Sequence, residues 1–384
     1  MNFLGNIWGV FRDFFTLVLP KKRNNSEIYK FAFIVHPRNE NDIQRKYPVF
    51  KYIPNSLVRF FTRHFLPVTL SKITGLRSAV SGEEVLGYVI SVLPTAHQMF
   101  ENRELALKRI TQACILAEKK GAKIIGLGGL SSSFSKGGLD LTDKVKVNIT
   151  TGHAYTSYNV TQNLFRLVKE LELKKEVLCI GIVGAAGSIG STSTKILARE
   201  GFKNFILVDL ERKKEYFPEL VKDIRSLNPQ SSIKISHQIG EIRKCDIIIA
   251  ATNAPEALIT SKDLKWGAVV IDDAQPSDVH PEVLSRKDVL VIEAGVTFTP
   301  DIVNNFNFGL KNRNDNFCCL AEVLILAANE WNDHFVLNRA SLDLVDKISV
   351  WGRKLNFRTA DFQNFKEVIT NEKLQYVKNA IHKK

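Results

Sequence analysis

The chain has 384 residues, 45% of them hydrophobic and 24% charged, which excludes a disordered or fibrous protein and suits two domains with real cores. Its 53 Lys and Arg outnumber 40 Asp and Glu, for a formal charge of +13. These basic residues are spread along the chain and form no nucleic-acid module, so no nucleic acid is expected; an acidic partner or an anionic membrane surface is. Five cysteines without CxxC or zinc-type spacing exclude a disulfide framework and a structural metal, and they suit a reducing cytoplasm.

The first twenty residues lack a basic start and are interrupted by Arg12-Asp13, so they read as neither a secretory signal nor a membrane span. At helical period Phe3, Leu4, Ile7, Trp8, Phe11, Phe14, Phe15 and Val18 share one face. Asn2, Gly5, Gly9, Arg12, Asp13 and Thr16 take the other, and Lys21-Lys22-Arg23 follow directly. Residues 1–29 are therefore an amphipathic extension with two readings. Either residues 1–23 make peripheral contact with anionic headgroups, or the helix packs on the protein body or a partner subunit.

Residues 30–150 read as an N-terminal α/β domain for the substrate. Strand-like runs cover Phe31–Val35 and Val85–Val92, separated by an aromatic and basic region with no clear periodicity. An amphipathic helix spans Leu105–Lys120 and closes on Gly121. A buried strand, Lys123–Leu127, then ends in Gly128-Gly129-Leu130-Ser131-Ser132-Ser133. Thr150-Thr151-Gly152-His153 reads as a loop before a helix over Tyr155–Glu172, and residues 151–175 form the link between domains. From 176 to 312, apolar runs at Val177–Val183, Phe205–Asp209, Ile233–Ile235, Ile247–Ala251, Ala268–Ile271 and Val289–Ile292 alternate with helical or turn segments. That is the pattern of a Rossmann-like doubly wound parallel sheet. Residues 313–384 are helical at Phe317–Trp331 and Leu342–Leu355, with a polar tail beyond Phe357. The expected fold is α/β, with the C-terminal helices packed in the interdomain cleft.

Between the first strand and helix of the second domain lies Gly184-Ala185-Ala186-Gly187-Ser188-Ile189-Gly190. Glycines at this spacing allow a tight turn, close approach of backbone to a pyrophosphate and packing of helix on sheet. Unpaired N–H groups at the helix start then meet phosphate oxygens. A strand–helix turn without ligand is the plain alternative. Asp209 ends the next strand, where a carboxylate suits the ribose hydroxyls of NAD, whereas Arg212-Lys213-Lys214 suit a 2′-phosphate. NADPH and NADH both stay open. Thr252 and Gly295, which follow later strands, count with the loop as cofactor-contacting positions.

Asp315-Asn316-Phe317-Cys318-Cys319-Leu320-Ala321-Glu322 opens the C-terminal helix. With Asp315 or Asn316 as N-cap, both cysteines fall in the first turn, where unpaired N–H groups favour a thiolate. Such a thiolate could attack a thioester; equally, both could be small buried residues. His153, in a glycine-containing loop, is a candidate proton donor, ahead of His36 and His334.

Several of these segments together resemble the cyanobacterial long-chain acyl-[acyl-carrier-protein] reductase family. They are Phe31-Ala32-Phe33-Ile34-Val35-His36, Gly126-Leu127-Gly128-Gly129-Leu130-Ser131-Ser132, Thr150-Thr151-Gly152-His153, Val183 to Ser191, and Phe317-Cys318-Cys319-Leu320-Ala321-Glu322. The likeness runs in order over roughly residues 30 to 355, and Val270-Ile271-Asp272 and Glu293-Ala294-Gly295-Val296 keep its register. It implies Cys319 as the acyl-accepting nucleophile, NADPH as reductant and acyl carrier protein as acyl source. Mg2+ enters only through the resemblance, since no carboxylate cluster predicts a metal site. Two departures matter. The family's Asn-Thr-His-Thr after Thr-Thr-Gly is here His153-Ala154-Tyr155-Thr156, so the proton donor lies open between His153 and Tyr155. Leu210 stands where the family has an Arg suited to the 2′-phosphate.

The expected activity is NAD(P)H-dependent reduction of a long-chain fatty acyl thioester, on acyl carrier protein or coenzyme A, to a fatty aldehyde through a Cys319 acyl-enzyme. Gly128, Gly129 and Ser131 would let the acyl chain lie against backbone. One rival is a shikimate-dehydrogenase-like enzyme that reduces a free carbonyl without a covalent intermediate. The other is a membrane-associated nucleotide-binding scaffold. The expected location is cytoplasmic, with or without peripheral membrane association.

Overall fold

The computed structural model describes residues 3–19 and 28–382, which form two compact units. Unit one comprises Met1–Gly152, Thr299–Asn338 and Trp351–Asn356; unit two comprises His153–Phe298, Arg339–Val350 and Phe357–Lys384.

The chain enters unit one through α1 (Phe3–Val18), β1 (Lys30–Val35), α2 (Glu40–Lys46), α3 (Asn55–His64), β2 (Val68–Arg77) and β3 (Glu84–Ser91). It continues through α4 (Ala96–Glu101), α5 (Arg103–Lys119), β4 (Ile124–Leu127), α6 (Leu130–Phe134) and β5 (Asn148–Thr150). Unit two holds α7 (His153–Glu170), β6 (Cys179–Val183), α8 (Ser188–Arg199), β7 (Asn204–Val208), α9 (Phe217–Leu227) and β8 (Ser232–Ser236). After these come β9 (Ile247–Ala250), β10 (Val269–Asp272), β11 (Leu290–Glu293) and β12 (Val296–Phe298). The chain returns to unit one for β13 (Val303–Asn304), β14 (Asp315–Phe317) and α10 (Cys318–Ala328). Then follow α11 (Leu342–Lys354), β15 (Arg358–Thr359) and α12 (Asn371–His382).

Sheet one has the order β13-β2-β3-β1-β4-β5. Strands β3, β1, β4 and β5 run parallel, while β2 is antiparallel to β3. Phe31, Ala32, Phe33 and Ile34 in β1 are all buried, as a central strand covered on both faces requires. Helix α5 starts where the Asn102 side chain accepts from the Leu105 N–H at 2.9 Å. It buries Ala106, Ile110, Ala113 and Cys114 and stops at Gly121, whose φ of +89° suits only glycine. In α10 every residue except Cys319 is buried, and Val323 lies so close to Gly126 of β4 that a Cβ there would come within 2.9 Å of it. This helix is apolar all round because it is buried all round.

Sheet two is all parallel, in the order β11-β10-β9-β6-β7-β8. The strand sequence reverses between β6 and β9, which makes this the doubly wound α/β arrangement. Its core joins Ile180, Ile182, Ile249, Ile271 and Ile292 to Val160, Leu164 and Leu167 of α7.

Several elements depart from the sequence reading. The region between the first two strand-like runs holds α2, α3 and β2; β2 carries register shifts between Thr69 and Ser71 and between Ile73 and Leu76, which break its alternation. The polar tail contains α12, which buries only Val377 and Ala380. Neither Asp315 nor Asn316 is the N-cap of α10: both are in β14, and Phe317 takes the cap position without a side-chain hydrogen bond. Helix α1 docks through the face read as polar. Asp13 is fully buried, accepts from the Thr69 N–H at 2.6 Å and pairs with Lys120 Nζ at 2.6 Å, while Trp8, Phe11 and Phe15 are exposed. Lys21, Lys22, Arg23, Lys383 and Lys384 lie outside the described residues, as do the side chains of Phe3, Leu4 and Ile7.

At the carboxyl end of β10, burial and then the nearby Asp278 raise Asp272 to about 8, and burial raises Asp278 to about 6. A carboxyl whose folded pKa is raised contributes stability that is fully present below its unfolded value and is lost as pH climbs through the folded one. The melting temperature should therefore fall between about pH 4 and pH 8, from the ordinary carboxyl value to the raised value of Asp272. In Asp272→Asn, which keeps an acceptor for the Ala274 N–H and gives up the oxygen that takes the Val279 N–H, thermal melts should show a clearly flatter profile; an unchanged slope would remove Asp272 as its source.

Candidate functional site

In unit one the parallel strands β1, β4 and β5 end at a common edge, and each end carries a residue singled out from the sequence. After β1, His36 Nδ1 bonds the Pro37 carbonyl at 3.1 Å while Nε2 accepts from the Leu130 N–H at 3.1 Å. These two bonds define the neutral tautomer with its proton on Nδ1, and burial depresses the pKa in the same sense. His36 thus holds the turn after β4. Gly129 in that turn has φ +52°, and a Cβ there would lie 2.8 Å from His36 Nε2. At Gly128 a Cβ would meet the Phe33 ring at 2.6 Å and the Ile34 carbonyl oxygen at 3.0 Å. His334 is likewise an acceptor, taking the Ile149 N–H on Nδ1 at 3.1 Å.

After β5 the Thr150-Thr151-Gly152 turn rests on α10. The carboxylate of Glu322, fully buried, accepts from Thr150 Oγ1 and from the Gly152 N–H, the latter at 3.0 Å. Gly152 has φ +81°, and a Cβ on it would lie 2.3 Å from Cβ and 2.5 Å from Cα of Cys319. Only glycine meets both conditions. Cys319 occupies the first turn of α10 and is partly exposed, whereas Cys318 beside it is buried. The hydroxyls of Ser131 and Thr151 are buried at the same edge with no hydrogen-bond partner among the described residues. Carboxyl edges of parallel strands are where α/β sheets take ligands, and two unpaired buried hydroxyls fit a polar group supplied by a ligand.

In unit two, β6 leads into the glycine loop at the carboxyl edge of sheet two. Gly184 has φ +84°, and a Cβ would overlap the Ala251 carbonyl oxygen at 2.5 Å. A Cβ on Gly190 would overlap the Gly184 carbonyl oxygen at 2.3 Å. Gly187 precedes α8 and brings no side-chain cap, so the first N–H groups of α8, from Ser188 to Gly190, are left for a ligand. The cradle fits a pyrophosphate. Ala185 and Ala186 are buried, and the Ala186 N–H donates to Asp209 Oδ2 at 2.9 Å. Asp209 Oδ1 accepts from the Leu210 N–H at 2.8 Å, and Lys213 Nζ lies 3.3 Å away. Asp209 therefore braces the loop, and Arg212 is exposed next to it.

Thr252 donates its N–H and hydroxyl to Asp278 at 3.0 and 2.5 Å. Gly295 is tight against Asp273, with 2.8 Å between a built Cβ and Oδ1. Burial, then Asp272 and Asp278, push Asp273 well above the usual carboxylate range. His153 starts α7, where its carbonyl accepts from Ser157 Oγ at 2.7 Å. The buried Tyr155 hydroxyl lies 3.3 Å from Thr297 Oγ1, whose proton goes to the Arg358 carbonyl at 2.7 Å, so Tyr155 donates in that pair. Among the described residues no group of three or more His, Cys, Asp or Glu could hold a metal ion, and no helix is long and apolar enough to cross a membrane.

Two residues of these sites had no role in the sequence reading. Glu322 had a signal, a lone carboxylate within an apolar helix, which needs a buried partner. Arg339 had none. Its guanidinium donates to the Ala186 carbonyl at 2.6 Å and to Ser191 Oγ at 3.2 Å and lies 4.8 Å from the Tyr216 ring centre, which puts a fixed cation on the glycine loop.

Residues 166–294 match the family model described as shikimate/quinate 5-dehydrogenase. The chain is 26% identical over 375 residues to the aminotransferase PigE of a Serratia species, an alignment covering 92% of this chain but 42% of that protein. It thus spans less than half the length of that relative. It is 24% identical over 254 residues to the long-chain acyl-[acyl-carrier-protein] reductase of Synechococcus elongatus, covering 62% of this chain and 71% of the other. Among solved structures, shikimate 5-dehydrogenase from Listeria monocytogenes in complex with shikimate and NAD covers 86% of this chain and 98% of its own, with a TM-score of 0.35 and 11% identity. Unit two accordingly carries an oxidoreductase-type, NAD(P)-binding Rossmann domain, and the wider kinship is with reductases at a distance.

Placing a methyl group at residue 152 tests the bracing of Cys319. Gly152→Ala should cost about 1–3 kcal/mol through overlap and left-handed strain. It should also change the rate at which iodoacetamide labels the peptide bearing Cys318 and Cys319. Both would be read by urea denaturation and peptide mass spectrometry, and wild-type values in both would show that the close approach constrains nothing.

Proposed function

We propose that the chain reduces a long-chain fatty acyl thioester to the aldehyde, with Cys319 carrying the acyl group and NAD(P)H as reductant. The observation that carries this reading is the placement of Cys319. It is the one residue of α10 that is not buried, it begins a helix with no side-chain cap, and its backbone is seated on Gly152. A cysteine that served only to fill space would resemble Cys318, which is buried. The wider likeness to a long-chain acyl-[acyl-carrier-protein] reductase supports the same substrate class.

The Cys319 thiolate attacks the carbonyl carbon of the incoming thioester. The bond to the departing thiol breaks as the new thioester forms, and the departing sulfur takes up the proton that Cys319 gave up. Ser131 and Thr151 hydroxyls offer hydrogen bonds to the polar end of the substrate, and the side-chain-free Gly128 and Gly129 let the acyl chain lie against backbone. Gly184 to Gly190 would hold the pyrophosphate, with Arg339 beside it; Thr252 and Gly295 would border the nicotinamide half, and Asp209 and Arg212 the adenosine end. When bound, the dihydronicotinamide supplies a hydride. The chain then supplies a proton from His153 or from the Tyr155 hydroxyl, and release of the aldehyde regenerates the Cys319 thiol. The excess positive charge, +13, suits approach of an acidic acyl carrier protein.

Incubation with a long-chain acyl thioester and no nucleotide should add the acyl mass to the Cys318–Cys319 peptide, and NADPH should discharge it. Cys319→Ala should lose the adduct and reduce turnover by roughly a thousandfold or more, while nucleotide titration stays unchanged. Nucleotide binding without any adduct would instead favour the shikimate-dehydrogenase-like reading, in which a free carbonyl is reduced directly, as the family match over 166–294 would suggest.

Cofactor choice has its own test. A charge-assisted bond to the 2′-phosphate is worth about 1.5–3 kcal/mol, so Arg212→Ala should raise KM for NADPH by roughly tenfold or more and leave KM for NADH alone. Equal effects on both cofactors would take Arg212 out of the phosphate site.

A further inference from the structure

We propose that the outward faces of α1 and α3 are a docking surface for an anionic lipid bilayer. The inference goes beyond the proposed reaction and does not depend on it.

Exposed apolar side chains are unevenly distributed along this chain. Of the 25 large hydrophobic residues that are exposed among those described, 13 fall within the first 65 positions, and they include all six exposed phenylalanines. Scattered single residues would be ordinary; a concentration of aromatics on two helices of one unit marks an interaction surface.

The geometry of each helix accounts for the pattern. In α1, Asp13 is the anchor, bonded to the Thr69 N–H and Lys120. At about 100° per residue, Phe11 and Phe15 lie within a few tens of degrees of the side directly opposite Asp13, and Trp8 falls on the same stripe. All three are more than half exposed, at 58%, 53% and 72%. The anchoring carboxylate therefore turns the aromatic stripe outward. In α3, Val58 and Thr62 are the buried positions; Phe60 lies on the opposite side and Leu57 and Phe61 on the flank beside it, all three exposed. Both helices are fastened to α5: Lys119 Nζ donates to the Leu17 and Leu19 carbonyls, and Arg109 donates to the Arg63 and His64 carbonyls.

Charge identifies the occupant. Residues 1–26 contain one acid, Asp13, which is buried in its ion pair. Residues 43–82 contain no Asp or Glu and seven Lys or Arg. Arg12 and Lys51 are exposed among the aromatics, and Lys21-Lys22-Arg23 follow α1 in sequence. An aromatic stripe with basic residues, whose bordering carboxylates Glu40 and Glu101 are held in ion pairs, is complementary to anionic headgroups over acyl chains. A second copy of the chain would bring Arg12 and Lys51 against their own like charges. An acidic protein would find Arg59 and Arg63 already paired with Glu40 and Glu101.

The full-length chain is mixed with phosphatidylcholine vesicles and with mixed phosphatidylcholine–phosphatidylglycerol vesicles, and flotation is measured at low and high salt. The chain should float with the anionic vesicles at low salt and dissociate as salt rises. The double variants Trp8→Ser/Phe11→Ser and Phe60→Ser/Phe61→Ser should each weaken binding by at least tenfold while keeping the wild-type circular dichroism and denaturation midpoint. Trp266→Ser, which removes an exposed tryptophan in unit two, should bind as wild type. Three results would overturn the proposal: no flotation with anionic vesicles at low salt; flotation that neither double variant weakens; or a self-association, or a complex with acyl carrier protein, that the variants abolish while vesicle binding is absent.

Discussion

The thioester chemistry proposed for unit one depends on a single buried carboxyl group. Glu322 sits within an otherwise apolar helix, and removing a carboxylate from water is costly unless hydrogen bonds replace the hydration. Here the replacements are the Thr150 hydroxyl and the Gly152 N–H. Both belong to the turn that follows β5, so satisfying the charge also fixes the turn on the helix. One consequence is geometric: Gly152 comes so close to Cys319 that backbone on one side and Cα–Cβ on the other define where the sulfur begins. The Cα–Cβ bond that carries the thiol is thus placed by a carboxyl group one helical turn away.

Unit two uses the same economy of parts at its own edge. A glycine loop has no side chains to stiffen it, and this one is held from both sides. Asp209 takes the Ala186 N–H, and Arg339 donates to the Ala186 carbonyl. One residue of the loop is thereby gripped by an anion at its donor and a cation at its acceptor. This leaves the N–H groups at the start of α8 free to meet phosphate oxygens, the arrangement that a dinucleotide cradle needs.

Much of the architecture was legible where partners are local or where burial is complete. The run ending at Val183, the glycines that follow and the helix after them announce themselves because strand, turn and helix each obey a period or a backbone rule, although α8 begins at Ser188, inside the glycine loop, rather than at Ser191. The first-turn placement of Cys319 was legible for the same reason. Strand β2 was not, because bulges interrupt its alternation, and α12 was not, because two buried residues make too narrow a stripe. The stripe on α1 was visible, but amphipathicity does not say which side faces the protein; the answer came from Lys120, which pairs with Asp13 across 107 positions. The tasks of Glu322 and Arg339 were hidden similarly, since their partners lie 172 and 153 positions away.

The path of the chain through its two units bears on how it must be made. Unit two takes its longest stretch from His153 to Phe298 and is finished by Arg339–Val350 and Phe357–Lys384, whereas unit one is begun before that long stretch and resumes only after it, at Thr299. Until α10 is synthesised, the apolar flank of β4 at Gly126 has nothing to cover it. A nascent chain would carry a sticky, half-dressed sheet through the synthesis of the long central stretch of unit two. Contacts of such long sequence separation form slowly and expose surface to misassembly in the interval. The ribosome, in effect, delivers the lid of the first box after most of the second has been made.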